Sequence, residues 1–200
     1  PKEKLEIVAF TKNKINGRAP FVLGVGGNNT EAVVDEIKST DFVGIDAILS
    51  VSPAYNKPTQ EGIYQHFKAI SEVCPVDIIL YNVPSRTSSN ISAETLLRLA
   101  NDFDNITAVK EASSDLGQFM KILRDKPCHF KVFSGDDALT LPMILMGADG
   151  VISVQAMAQP KEFSDIFREG LAGNLKKARS LHYSQLEVID HIFAEGNPAG

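Results

Sequence analysis

A chain of 200 residues, 44% hydrophobic and 22% charged, is long enough to bury a core and too apolar for disorder. Its net charge of −5, with no stretch that interleaves Lys and Arg with aromatics, excludes a nucleic-acid footprint. No apolar run approaches the roughly 18 residues that span a bilayer, so no membrane partner is expected.

Other classes drop out by the same reasoning. Lys176-Lys177 with Arg179 read as one exposed helix face. No basic start followed by a short apolar stretch reads as a leader. Cys74 and Cys128 are isolated, and His66, His129, His182 and His191 lack any ligand spacing. The expectation is a reduced, cytoplasmic protein with no metal and no cofactor.

In chain order, residues 3–13 read as a helix that no strand precedes. The apolar run 21–25 is a strand ending in Gly26-Gly27-Asn28-Asn29, and 30–39 has helical spacing with Thr30 as N-cap. Strand 47–51 ends in Ser52-Pro53, and helix 60–72 places Ile63, Phe67 and Ile70 on one face. Strand 77–82 ends at Val83-Pro84, and helix 92–100 takes Ser92 as N-cap. Strand 106–109 ends at Lys110, with helix 115–123 behind it. Strand 129–133 ends in Ser134-Gly135-Asp136-Asp137, helix 139–146 follows, and a sixth strand covers 150–154. Residues 160–170 and 174–194 are helical. The strands are rich in Val and Ile without clean alternation, as parallel strands buried on both faces are.

Six βα units follow, at roughly 25 to 30 residues each. The chain has no linker or low-complexity stretch, so length suggests one domain, or one and a fraction. It is either a six-strand open sheet or a barrel without its beginning, since a (β/α)8 barrel has two more strands and about 250 residues. The helix-first opening favours the second, and a start at Pro1 without Met leads to the expectation that the true N-terminus is missing.

Functional groups of parallel α/β folds collect at the carboxyl ends of strands. Reading only those ends selects Asn28, Tyr55, Tyr81, Arg86, Lys110, Gly135 and Asp136. A lysine closing an apolar strand is poorly placed for a solvated charge. Desolvation disfavours its ammonium form and makes the neutral amine available to a carbonyl. Tyr81, on the preceding strand, can exchange protons beside an iminium. Arg86, in Pro84-Ser85-Arg86-Thr87, suits a substrate carboxylate. Amine, phenol and guanidinium together point to a 2-oxo acid. The structural alternatives stay open: Lys110 paired with Glu111 or Asp115, Tyr81 as a core aromatic, Arg86 solvated, Tyr55 in a turn. Gly24-Val25-Gly26-Gly27 does not satisfy a dinucleotide or phosphate-loop pattern. Asp136-Asp137 reads as a turn and helix cap rather than a metal pair.

Five segments carry a family resemblance. They are Pro53-Ala54-Tyr55-Asn56-Lys57-Pro58-Thr59-Gln60-Glu61-Gly62, Tyr81-Asn82-Val83-Pro84-Ser85-Arg86-Thr87, Val109-Lys110-Glu111-Ala112, Ser134-Gly135-Asp136-Asp137 and Gly150-Val151-Ile152-Ser153-Val154. In order, over nearly the whole chain, they resemble dihydrodipicolinate synthase (4-hydroxy-tetrahydrodipicolinate synthase), of the class I pyruvate-dependent aldolase superfamily. Sialic acid lyases and 2-keto-3-deoxy sugar acid aldolases share the fold and lysine but generally not the arginine-bearing loop. They are the nearest alternative, and a non-catalytic α/β scaffold is the more distant one.

The resemblance implies a (β/α)8 barrel lacking its first two strands, with residues 1–170 as partial barrel and 171–200 opening a C-terminal helical region. It implies a lyase that condenses pyruvate with L-aspartate 4-semialdehyde in lysine and diaminopimelate biosynthesis. Lys110 forms the imine, Tyr81 shuttles protons, and Tyr55 joins the relay from a partner subunit. Arg86 holds the aldehyde substrate's carboxylate end, and the backbone around Gly135 and Ile152 lines the pyruvate pocket. The assembly is a homotetramer, a dimer of dimers. Two departures follow. The family's threonine loop lies upstream of these residues and its last helices lie beyond Asn197-Pro198, so the 200-residue chain alone is expected to be inactive. Asn28 matches a lysine-binding position, but Ala54 replaces a large aromatic of lysine-inhibited members, so lysine inhibition is expected to be weak or absent.

Overall fold

The structure is a computed structural model that describes residues 2–196; Asn197-Pro198 lie outside the described residues. The chain divides into two compact units, Pro1–Ala108 with Pro127–Phe130, and Val109–Lys126 with Lys131–Gly200. Six strands form one sheet in the order β1-β2-β3-β4-β5-β6. The ladders β1–β2, β2–β3 and β5–β6 are parallel.

The first unit contains α1 (Lys2–Ile15), β1 (Val22–Gly24), α2 (Thr30–Ser39), β2 (Ala47–Val51), α3 (Gln60–Ser71), β3 (Asp77–Asn82), α4 (Pro84–Thr87) and α5 (Ala93–Asp102). It also holds the first half of β4 (Ile106–Glu111). The helical face expected from periodicity is present: Ile63, Phe67 and Ile70 are fully buried, as are Ile48, Ile78, Leu80, Leu96 and Leu99. Each such side chain contributes about 1.5–3 kcal/mol by leaving water. The β2–β3 register pairs Val51 with Tyr81 and Ala47 with Asp77, which sets the tyrosine level with the carboxyl end of β2.

The second unit continues from β4 through α6 (Leu116–Asp125), β5 (Lys131–Ser134), α7 (Thr140–Met146) and β6 (Gly150–Val151). A 3-10 turn at Gln155–Met157, α8 (Pro160–Leu171) and α9 (Leu175–Ile192) complete it. Leu141, Phe163, Ile166, Ala178 and Ile189 form its helical core. Gly150 faces Phe133 across the β5–β6 ladder, where a Cβ would fall 2.7 Å from the ring. The ring fills that space and no side chain fits there.

Several expectations need correction. Asn29, not Thr30, caps α2: its side chain accepts the Ala32 N–H at 3.3 Å. Thr30 begins the helix and its hydroxyl meets His66 Nδ1 at 2.8 Å instead. Ser92 caps α5 as expected, through the Thr95 N–H. Strand β4 runs on through Lys110 and Glu111, because Gly135 N–H donates to the Glu111 carbonyl at 2.8 Å and keeps the ladder going. Strand β6 has only two residues rather than five, since the chain after Val151 turns to meet an acidic side chain described below. The segment around Arg86 is a short helix, with Pro84 at its first turn and Ser88 at φ 57 ending it.

Candidate active site

In the second unit the site is built from the carboxyl ends of β4, β5 and β6. Lys110 is 8% exposed, and its strand neighbours Val109 and Glu111 are buried as well. Burial lowers the Lys110 pKa, and the negative charge of Asp137 opposes that shift. The acidic groups nearest in sequence have other engagements. Glu111 accepts the Ser113 N–H at 2.8 Å and the Gln118 amide at 3.1 Å. Asp115 caps α6 through the Gln118 N–H at 3.0 Å. A buried amine whose pKa is pulled down by desolvation is the state that attacks a carbonyl.

Of the two residues Gly135 and Ile152, the first lies against this lysine. A Cβ at Gly135 would lie 2.9 Å from Lys110 Cγ and 2.9 Å from Ala112 Cβ, so the missing side chain leaves the lysine stem its room. Ile152 sits half-buried just past β6, and its N–H donates to the Ser134 carbonyl at 2.9 Å. The Ile152 N–H is therefore committed to the β5 end.

In the first unit Tyr81 is half-buried near the end of β3. Burial raises its phenol pKa, and the Arg86 guanidinium pulls it back toward the ordinary value. Phenol and guanidinium thus act on each other within one unit. Arg86 is exposed on α4. The loop that presents it is held by Asn82, which is buried and accepts the Ile91 N–H at 3.0 Å while donating to Asn90 at 2.8 Å. Thr87 adds a clamp, donating to the Ser89 carbonyl at 2.7 Å. Tyr55 is 87% exposed with φ 71, a backbone region that non-glycine residues seldom adopt. Its N–H donates to the Thr87 carbonyl at 3.2 Å, which ties it to α4, but its ring is in the open. Asn28 is exposed and its carbonyl accepts from the Asn56 amide at 3.1 Å.

Asp137 is the residue that sequence reasoning missed. It is buried, and its Oδ2 accepts the Val154 N–H at 3.2 Å and the Gln155 N–H at 2.9 Å. It caps no adjacent helix; Asp136 does the local work, accepting the Leu139 N–H at 3.1 Å. The available signal was the second of two acidic residues after a strand-end glycine, and its partners 17 and 18 residues away are invisible to local spacing. Among the described residues no group of three or more His, Cys, Asp or Glu could hold a metal ion. Among them, too, no helix is long and apolar enough to cross a membrane.

The arrangement has close counterparts. The 4-hydroxy-tetrahydrodipicolinate synthase of Flavobacterium psychrophilum is 55% identical over 198 residues, which is 99% of this chain and 68% of that protein. The crystal structure of dihydrodipicolinate synthase from Aquifex aeolicus superposes with a TM-score of 0.94 at 39% identity, covering 98% of this chain and 67% of that one. A monomeric dihydrodipicolinate synthase variant superposes at 0.95 with 37% identity, over 99% of this chain and 67% of that one. The chain thus spans about two thirds of the length of the relatives it matches. Residues 1–200 match the Dihydrodipicolinate synthetase family, and the chain belongs to that family.

Proposed function

We propose that the chain carries the chemistry of 4-hydroxy-tetrahydrodipicolinate synthase, a lyase of lysine and diaminopimelate biosynthesis that condenses pyruvate with L-aspartate 4-semialdehyde. The observation that carries it is Lys110: a lysine 8% exposed at the end of β4, with its ammonium form disfavoured by burial. The neutral nitrogen adds to the pyruvate ketone, the carbinolamine loses water, and an iminium forms. Loss of a methyl proton gives an enamine, whose carbon attacks the aldehyde carbon of the second substrate. The rival aldolases for sialic acid and keto-deoxy sugar acids are not favoured by relatives of the synthase at 55% identity.

The residue roles are proposals of the same kind. Tyr81 moves the protons, in support of which burial holds its phenol in the protonated, donor state. Arg86 receives the carboxylate end of the aldehyde, as its exposure on α4 allows. The backbone at Gly135 and Ile152 lines the pyruvate pocket. Tyr55, with its ring exposed and its backbone pinned to α4, suits a relay residue offered to a partner subunit, in a homotetramer built as a dimer of dimers. The six strands are taken as six of the eight in a (β/α)8 barrel, with residues 171–200 opening the helical region after it. The protein is read as cytoplasmic, needing no cofactor or metal, with weak or absent lysine inhibition because Ala54 is small.

The test is to incubate the full-length protein with pyruvate, reduce with borohydride and map the adduct by mass spectrometry. A three-carbon adduct on Lys110, lost in Lys110→Arg, is expected, because Arg cannot form the imine. A folded protein that takes up pyruvate on no lysine, or on a different one, rules the mechanism out.

A further inference from the structure

We propose that Asp137 is a positioning residue for the Lys110 nitrogen, holding the loop beyond β6 through one carboxylate oxygen and balancing the positive charge that the nitrogen carries as ammonium and as iminium. The inference rests on the Schiff-base reading above and extends it to a residue outside the amine–phenol–guanidinium set.

The geometry begins with the two carboxylate oxygens. Asp137 is 5% exposed. Its Oδ2 accepts two consecutive backbone N–H groups, Val154 at 3.2 Å and Gln155 at 2.9 Å, which turns the chain away from β6 into the 3-10 turn. Its Oδ1 is fully buried and receives no hydrogen bond. A buried carboxylate oxygen without a donor is costly unless a nearby positive charge compensates it. The loop that carries Asp137 runs along the lysine, because Gly135, two residues earlier, would put a Cβ within 3.0 Å of Lys110 Cε. Asp137 is also the charge that acts on Lys110, favouring the cation against burial.

The other ionisable groups of this unit near the two make bonds of their own. From β4, Glu111 serves Ser113 and Gln118. From the start of α6, Asp115 caps its own helix. On the β5–α7 loop, Asp136 takes the Ser114 hydroxyl at 2.8 Å and the Leu139 N–H. From α9, His182 is buried beside the Ala138 carbonyl, and burial lowers its pKa. A neighbouring acid that favours the ammonium delays attack as pH falls, yet the same charge stabilises the iminium once formed. Asp137 therefore favours accumulation of the covalent intermediate over speed of its formation at low pH.

The decisive variant is Asp137→Asn in the full-length protein, which keeps an oxygen for the Val154 and Gln155 N–H groups and removes the charge. Borohydride trapping with pyruvate is followed from pH 5 to 9, with circular dichroism as a check on folding. The rise of trapping rate with pH is expected to move about one unit toward acid, since an opposing charge within reach of an amine shifts it by that order. At pH 8 the pyruvate concentration for half-maximal trapping is expected to rise several-fold. A folded Asn variant whose pH profile superimposes on that of the wild type overturns the proposal, even if its rate is lower. Should Asp137→Asn fail to fold, Asp137→Glu retains the charge. Its profile is expected at the wild-type position with a reduced rate, and an acid displacement there overturns the proposal equally. Absence of an adduct in the wild type would instead defeat the Schiff-base reading itself.

Discussion

Gly135 is the wall along which the Lys110 stem runs: a Cβ there would come 2.9 Å from Lys110 Cγ and 3.0 Å from Cε. Ala112 Cβ also lies at 2.9 Å, so the added methyl meets two side chains at once and the longer lysine stem is the one that can give. Gly135→Ala is expected to displace the lysine and to cost about 1–3 kcal/mol in stability, as overpacking does. Trapping of pyruvate on Lys110 should slow at least about tenfold, because a nucleophile shifted by a fraction of an ångström leaves its attack geometry. Thermal melts and single-turnover trapping, compared with the wild type, measure the two effects. A variant as stable and as reactive as the parent shows that the lysine reaches its place by another route.

The strands near this glycine show what a sequence can and cannot disclose. β2 and β3 match their apolar runs residue for residue, because turn chemistry at Ser52-Pro53 and Val83-Pro84 ends them, although Ser52, Pro53 and Val83 are themselves buried. β4 outlasts its apolar run, because strand continuation depends on the Gly135–Glu111 backbone bond rather than on side-chain type. β6 is cut short by Asp137, whose hold on Val154 and Gln155 is a long-range contact without a local pattern. Lys110 is legible as a candidate because a lysine at the end of an apolar strand breaks the rule for solvated charges. The lysine is visible as a residue type, while the long-range hold of Asp137 on the Val154 and Gln155 N–H groups is not. Arg86 reads as a loop residue, since four residues are too few to show helical periodicity, and only Pro84 hints at the turn.

Asn29 and Thr30 provide a test of capping that separates two adjacent polar residues. Asn29 Oδ1 satisfies the Ala32 N–H, while the Thr30 hydroxyl faces His66. Asn29→Ala is expected to cost about 1 kcal/mol, the usual loss for a helix without its N-cap side chain. Asn29→Ser should recover most of it, since a hydroxyl can take the same N–H. Urea denaturation of the three proteins at pH 7 measures the difference. Equal midpoints for the wild type and the Asn29→Ala variant would show that α2 is held by its packing against α3 alone.

His66 gives the fold a built-in sensitivity to acid. It is 2% exposed, with Nδ1 against the Thr30 hydroxyl and Nε2 buried without a partner. Burial lowers its pKa from 6.5 to about 4. The unfolded chain therefore binds a proton at this ring between pH 6.5 and about 4, while the folded chain does not. Stability must then fall as pH drops through that window, and the contribution is fully present only above the unfolded value. Linkage puts the loss from this one ring at about 2 kcal/mol between pH 7 and pH 5. His66→Gln keeps a polar partner for Thr30 and removes the titration. The expected outcome is a variant whose urea midpoint changes less between the two pH values than the wild type does, by an amount worth about 2 kcal/mol. If both proteins lose stability in parallel on acidification, the proton is taken up elsewhere, and the buried ring is not the group that sets the acid limit.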